Sequence, residues 1–280
     1  SATLRHMKRI IFGLVLFASL GLAQGARILI VTDLEGVGGV NDPDEQLLPG
    51  QRRYLESRKI LTGEVNAAVD GAVAAGASEI VVWDGHDGSR TLSIDEIHSP
   101  ARLLQGRPTP ANYYLSDRLY DGVIFIGQHA KAGAKDAVLA HTQSFAVRRL
   151  TINGKEVGEL GQVAAIAGQF GIPVIMLSGD RAACAEMLEL QPRAVTVEVK
   201  RLAGRGSTVS LSHEQATRLI LDGAIKAVRS AGTYSPWKIQ GPVEMTIEYF
   251  PQPPQQPTAR IVSYKGATVL EAYEAWLGKL

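Results

Sequence analysis

Six residues able to hold a metal ion or move a proton follow closely on apolar runs of the chain. Asp33 and Glu35 come after Arg27-Ile28-Leu29-Ile30-Val31-Thr32. Asp84, His86 and Asp87 come after Glu79-Ile80-Val81-Val82-Trp83, and His129 comes after the run that ends at Ile126-Gly127. Carboxylates and imidazoles together form a ligand set suited to zinc or a similar divalent ion. His141 and Glu159, the latter in Gly158-Glu159-Leu160-Gly161, lie further on. Each residue taken singly also fits an ordinary role. Asp33 fits a turn cap, Glu35 a solvated loop position beside Gly36, and His86 a turn histidine. His129 fits a core imidazole bonded to a carbonyl, and Glu159 a carboxylate favoured at a helix start. His98, beside Ser99-Pro100, and His213, at the start of a helix, read as surface residues; His6 lies ahead of the folded part.

The elements that must position these groups are legible as periodicities. The run at 27–32 is continuously apolar, as expected of a strand buried on both faces, and further strands are expected at 79–83 and 122–127. Between the first two, Leu61, Val65, Ala68, Val69, Ala72 and Val73 recur at three- and four-residue steps, predicting a helix over 57–75 closed by Gly76. Strand, helix and strand make a right-handed βαβ unit. A short strand is expected at 102–105. A hairpin is expected around Asn153-Gly154, flanked by 145–152 and 155–157. Helices follow at 161–169, 180–190 and 212–229, with strands at 173–177 and 194–199. Beyond Gly232 come a strand at 243–249, a proline-rich connector at 251–257, a strand at 260–263 and a helix at 269–277. The class is α/β: a layered α/β/α fold with a mostly parallel sheet and a smaller second domain or carboxy-terminal segment. In such sheets ligands bind beyond the carboxyl ends of the strands, where the six residues fall.

Composition narrows the possibilities. In 280 residues, 29 Lys and Arg nearly balance 28 Asp and Glu, so there is no electrostatic footprint for nucleic acid. Cys184 is the only cysteine, which excludes an internal disulfide and a multi-thiolate zinc site; it reads as a small buried hydrophobe. Gly36-Val37-Gly38-Gly39 does not complete a dinucleotide fingerprint, and neither a phosphate loop nor a nucleophile elbow is present. Residues 1–25 read as a leader and signal peptide: Lys8-Arg9, an apolar run to Phe17, then small residues to Ala26. The run is short of the ~20 residues of a membrane span. The expectation is an exported chain, periplasmic or secreted, whose mature domain occupies 26–280 and is not membrane-embedded.

The chain resembles the zinc-dependent D-aminopeptidases associated with dipeptide-transport operons. The matching segments are Asp33-Leu34-Glu35-Gly36, Trp83-Asp84-Gly85-His86, Gly127-Gln128-His129-Ala130, His141 with Phe145-Ala146-Val147-Arg148, and Thr151-Ile152-Asn153-Gly154 leading to Val157-Gly158-Glu159-Leu160-Gly161. Ser178-Gly179-Asp180 is also similar. The resemblance implies two divalent ions, zinc by family, held by Asp33 as a bridge with Glu35, His86, His129 and Glu159. It implies His141 as the catalytic histidine, a short peptide as substrate and a ring-shaped homo-oligomer. An export signal and Ala140, where the family pattern has serine, are departures. Two rivals are a related metal-dependent amidohydrolase or lactonase and an exported peptide-binding protein without turnover. A requirement for a free α-amine, and hydrolysis itself, separate them.

Overall fold

A computed structural model describes residues 25–106, 115 and 119–278. The expected leader, Gly25 apart, lies outside the described residues. Among the described residues no helix is long and apolar enough to cross a membrane.

The main sheet contains β1 (Arg27–Thr32), β2 (Glu79–Trp83), β3 (Arg102–Leu104), β4 (Gly122–Gln128), β7 (Val174–Asp180), β8 (Val195–Gly204) and β9 (Ser207–Ser210). Their order is β3-β2-β1-β4-β7-β8-β9, parallel throughout except for the final β8–β9 pair. Helices α1 (Tyr54–Ala74) and α4 (His213–Arg229) cover one face, where Leu61, Val65 and Ala68 meet Ile220, Ala224, Ile30 and Ile124. Helices α2 (Glu159–Gln169), α3 (Arg181–Leu190) and α5 (Val269–Leu277) contribute to the core of the other face, with Leu29, Val31, Phe125 and Leu177. Burial on both faces explains why β1, β4 and β7 read as unbroken apolar runs. Each fully buried Leu, Ile or Phe contributes roughly 1.5–3 kcal/mol, so these strands are firmly anchored and fix where the loops beyond them begin.

A second, antiparallel sheet has the order β11-β10-β5-β6, from β5 (Val147–Ile152), β6 (Lys155–Glu156), β10 (Val243–Tyr249) and β11 (Arg260–Gly266). Asn153 and Gly154, at φ 48° and 79°, make the turn between β5 and β6; paired positive φ values give the twist a two-residue hairpin needs. Leu150, Ile152, Met245 and Ile247 join the same core as α2 and α3. The smaller unit is therefore not purely carboxy-terminal. It recruits the central hairpin, because β10 pairs with β5 across a long sequence separation that local pattern does not reveal. The structure also adds β9 and extends β8 past Val199. Lys200 and Arg201 interrupt the apolar pattern there, and the turn at Gly204-Arg205-Gly206 has positive φ throughout.

The strand order reverses between β1 and β4, which makes their carboxyl ends the switch point of the sheet. The two loops touch there. Asp33 N donates to Ile126 O at 2.9 Å, and Gly36 N to Gly127 O at 2.7 Å. A Cβ on Gly127, whose φ is 76°, would lie 2.1 Å from Asp33 O, and one on Gly36 would lie 2.1 Å from Gln128 O. Only glycines allow this approach.

Candidate active site

Asp33 and Glu35 follow β1, His86 follows β2, and His129 directly follows β4. Glu159 is the first residue of α2, where the helix dipole favours a carboxylate. His141 lies in the loop between β4 and β5. The structure brings all six together. Asp33 Oδ1 is 3.1 Å from His86 Nδ1, and Asp33 Oδ2 is 3.2 Å from His129 Nε2. Glu35 Oε2 is 3.1 Å from His86 Nδ1. Glu159 Oε1 is 3.5 Å from His129 Nε2 and 3.6 Å from His141 Nε2, which is itself 4.0 Å from Glu35 Oε1. The two oxygens of Asp33 thus address two different imidazoles.

Every histidine of the cluster uses its other nitrogen on a backbone carbonyl. His86 Nε2 donates to Leu47 O, His129 Nδ1 to Ala130 O, and His141 Nδ1 to Leu139 O, each at 2.9 Å. A carbonyl only accepts, so the proton sits on that nitrogen and the inward nitrogen faces the carboxylates. This is the outer bonding that orients histidine ligands in metal sites. Leu139 adopts φ 54°, an uncommon conformation for a bulky residue, while offering its carbonyl to His141. His141 lies between two rings, stacked on His129 at 4.0 Å and on the exposed Phe145 at 4.5 Å.

The electrostatics are those of a largely buried acid–base cluster. Burial raises the Asp33 carboxyl, but His129 and His86 outweigh it and hold it well below the usual carboxylate range. Burial lowers His86 and His129, yet the carboxylates of Glu35 and Asp33 beside the first, and of Glu159 and Asp33 beside the second, lift both well above an ordinary imidazole. Glu35 Oε2 and His129 Nε2 are buried without a well-formed hydrogen bond, despite their close neighbours. Orphaned polar atoms at the centre of a buried cluster are rare and need an explanation. A cation among them supplies one. Asp33, Glu35 and His129 form one set of donor atoms close enough to share an ion, and His129, His141 and Glu159 form another. The donor chemistry fits zinc or a similar divalent ion.

Comparison with known proteins gives this geometry a family. The family model of the M55 peptidases, described as D-aminopeptidase, matches residues 26–273. The chain belongs to this D-aminopeptidase family. It is 30% identical over 263 residues to the D-aminopeptidase of Bacillus subtilis strain 168, covering 90% of this chain and 95% of that one. It is also similar, with a TM-score of 0.82 and 29% identity over 90% of this chain and 96% of the other, to the solved structure of a Zn-dependent D-aminopeptidase from Bacillus subtilis, a self-compartmentalizing protease. The chain is accordingly a metallo-aminopeptidase, which sets aside the lactonase and the binding protein without turnover.

The remaining strand-end candidates of this family member serve the scaffold. Asp84 accepts from Leu92 N at 2.8 Å and Gln105 Nε2 at 2.9 Å, organising the loop after β2. Asp87 is exposed. His98 pairs with Asp70 at the surface, and His213 opens α4 behind the Ser212 cap. Cys184 is buried, which pushes its thiol up to about 12. Sequence reasoning passed over three supporting residues. Gln128 Nε2 donates to Asp33 Oδ2 at 3.0 Å. Lys200, fully buried in β8, donates to the carbonyls of Glu35 and Val40 and pins the loop after β1. Glu186 of α3 is buried and bonded to two backbone N–H groups. Gln128 was open to discovery as a neighbour of His129, but a lysine within a strand and a glutamate within a helix carry no local sign of burial.

Proposed function

We propose that this aminopeptidase holds two zinc ions and removes the amino-terminal residue of short peptides, including peptides of D-residues. The observation that carries the reading is Asp33, a buried carboxylate whose two oxygens each face a different imidazole, as a bridging ligand requires. Glu35 and His86 complete one side of it, and His129 and Glu159 the other. Zinc held there would supply Lewis acidity, polarising a substrate carbonyl and bringing the pKa of water close to neutrality. The relative's dependence on zinc and the mixed carboxylate–imidazole donors support that metal. His141 would move the proton. Its Nδ1–H is fixed on Leu139 O, so Nε2 is the nitrogen free to pass a proton to the leaving amine.

The test is hydrolysis of D-Ala-D-Ala and of its N-acetylated form by zinc-loaded protein. Free alanine from the first, abolished by a chelator and restored by zinc, is the expected result. No alanine would count against the substrate class. Equal cleavage of the acetylated peptide would remove the requirement for a free amine.

The same cluster sets a pH dependence. His86 and His129 are held charged without metal, with pKa values raised above the ordinary 6.5. Their charged forms stabilise the metal-free fold at acid pH, and that contribution is lost as pH rises through the raised values. Zinc needs both inward nitrogens deprotonated, so affinity moves the other way and strengthens over the same window. At the limit, about two protons leave per chain, corresponding to a Kd that tightens up to about 100-fold per pH unit. Zinc titrations at several pH values, with calorimetry in buffers of different ionisation enthalpy, measure both. A flat Kd from pH 6.5 upward would contradict the assigned ligands.

The mature enzyme is further proposed to begin near Ala26, outside the cytoplasm, and to assemble into a closed homo-oligomer. The charged, apolar and small-residue pattern before Ala26 supports the first, and the self-compartmentalizing relative the second. The amino-terminal mass and the assembly mass of protein recovered from its host read out both; an intact leader or a monomer would refute the respective statement.

A further inference from the structure

His129 directly follows β4 and Glu159 begins α2, and the hairpin region lies between them in sequence. Their side chains nevertheless meet at 3.5 Å, so something must hold the two backbones together. Glu186, on α3, touches both. Its Oε2 accepts from Lys131 N, two residues beyond His129, at 2.8 Å. Its Oε1 accepts from Gly158 N, the residue before Glu159, at 3.2 Å. The fit at Gly158 is close. A Cβ there would lie 2.8 Å from Lys131 Cβ and 3.0 Å from Glu186 Oε1, so the two segments close on the carboxylate only because residue 158 has no side chain. Glu186 is 7% exposed, and each of its oxygens is engaged by one of the segments. Water cannot readily take over either bond at such a site, and an unmatched buried donor is costly.

We propose that Glu186 is a positioning residue, clipping the end of β4 to the start of α2 and thereby setting the spacing of His129 and Glu159 in their half of the metal site. This rests on the two-metal reading above. Asp33, Glu35 and His86 are held by other means, including Lys200 beneath the loop after β1 and the Leu47 carbonyl beside His86. The clip therefore acts on one half of the site only.

Glu186→Gln tests this with little change of shape. The amide keeps one acceptor oxygen and turns an NH₂ toward one of the two backbone donors, so one arm opens. Gly158→Ala tests it without touching any charge, by forcing the segments apart. Zinc affinity is read by competition with a chelating dye, and cobalt spectra report ligand geometry. The expected result in both variants is one binding phase as in the parent and one weakened about 10–100-fold, the usual cost of losing an outer partner of a metal ligand. In a Glu159→Ala background, Glu186→Gln should add little, since the two act on the same half. Equal weakening of both phases would mean general loosening and would overturn the proposal, as would unchanged affinity in folded variants. Should Gly158→Ala not fold, Glu186→Gln decides alone. A parent that binds a single zinc would refute the two-metal reading; the clip is then judged on whether that one affinity falls with Glu186→Gln.

Discussion

Asp33→Asn is expected to deplete both metal positions together and to reduce turnover more than 100-fold. Asparagine has nearly the same shape, and it keeps an oxygen for the Leu34 N–H that Asp33 Oδ1 accepts at 2.9 Å. The loss is one of charge and of one acceptor. In the parent, Oδ1 faces His86 and Oδ2 faces His129, and Gln128 Nε2 donates to Oδ2. In the variant an amide NH₂ takes one of those places and cannot coordinate a cation. The negative charge that opposes two buried imidazoles is removed at the same time. Removing only an outer partner of a ligand already costs about 10–100-fold in metal affinity, so removing a shared inner ligand should exceed that range. Metal analysis after gel filtration, together with kcat/KM on a D-dipeptide, makes the comparison. Glu35→Gln is the control, since it should weaken one position more than the other. Retention of two zinc ions by Asp33→Asn would rule out the bridge.

How far the site could be read ahead of the fold differs from residue to residue, for identifiable reasons. Asp33, His86 and His129 each follow an apolar run legible as a strand, and parallel neighbours bring their carboxyl ends to one edge. Their convergence was legible. Glu159 and His141 stand out as candidates in the sequence but take their roles only from family resemblance, because the loop and hairpin between β4 and α2 take their place from β10, which pairs with β5 far along the chain. Boundaries slipped where caps were silent. Helix α1 starts at Tyr54, three residues before the expected Ser57, and its cap residue Arg53 makes no side-chain bond. Helix α2 starts at Glu159 behind Gly158, likewise without one. By contrast, Ser212 accepts from Gln215 N at the head of α4, and the capping-box spacing marks that start in the sequence. Lys200 and Glu186 were illegible for a different reason. Their partners are backbone carbonyls and amides of distant loops, which no pattern of side chains announces.

His141→Ala is expected to keep most of its metal while turnover falls about 10²–10⁴-fold, the usual worth of general acid–base help. His129→Ala should lose metal and activity together. The two rings stack at 4.0 Å and both approach Glu159, so proximity alone does not separate their roles. Their surroundings differ. His129 is 1% exposed and its Nε2 lies 3.2 Å from Asp33, the place proposed for an inner ligand. His141 is 8% exposed and its Nε2 stands 3.6–4.0 Å from Glu159 and Glu35, next to Phe145 at the outer side of the stack. A group that acts in the transition state should lower kcat with little change in metal affinity, whereas a ligand contributes to both. The pH profile sharpens the distinction: loss of the proton donor should remove one limb of the profile in His141→Ala and leave the metal-dependent limb in place. If His141→Ala instead sheds a zinc ion in parallel with its activity, His141 belongs with His129 and Glu159 as a ligand, the grouping their donor atoms also permit. If it retains most of its turnover, proton transfer to the leaving amine must come from elsewhere, and Glu159 or Glu35, the carboxylates that flank it, would be the groups to substitute next.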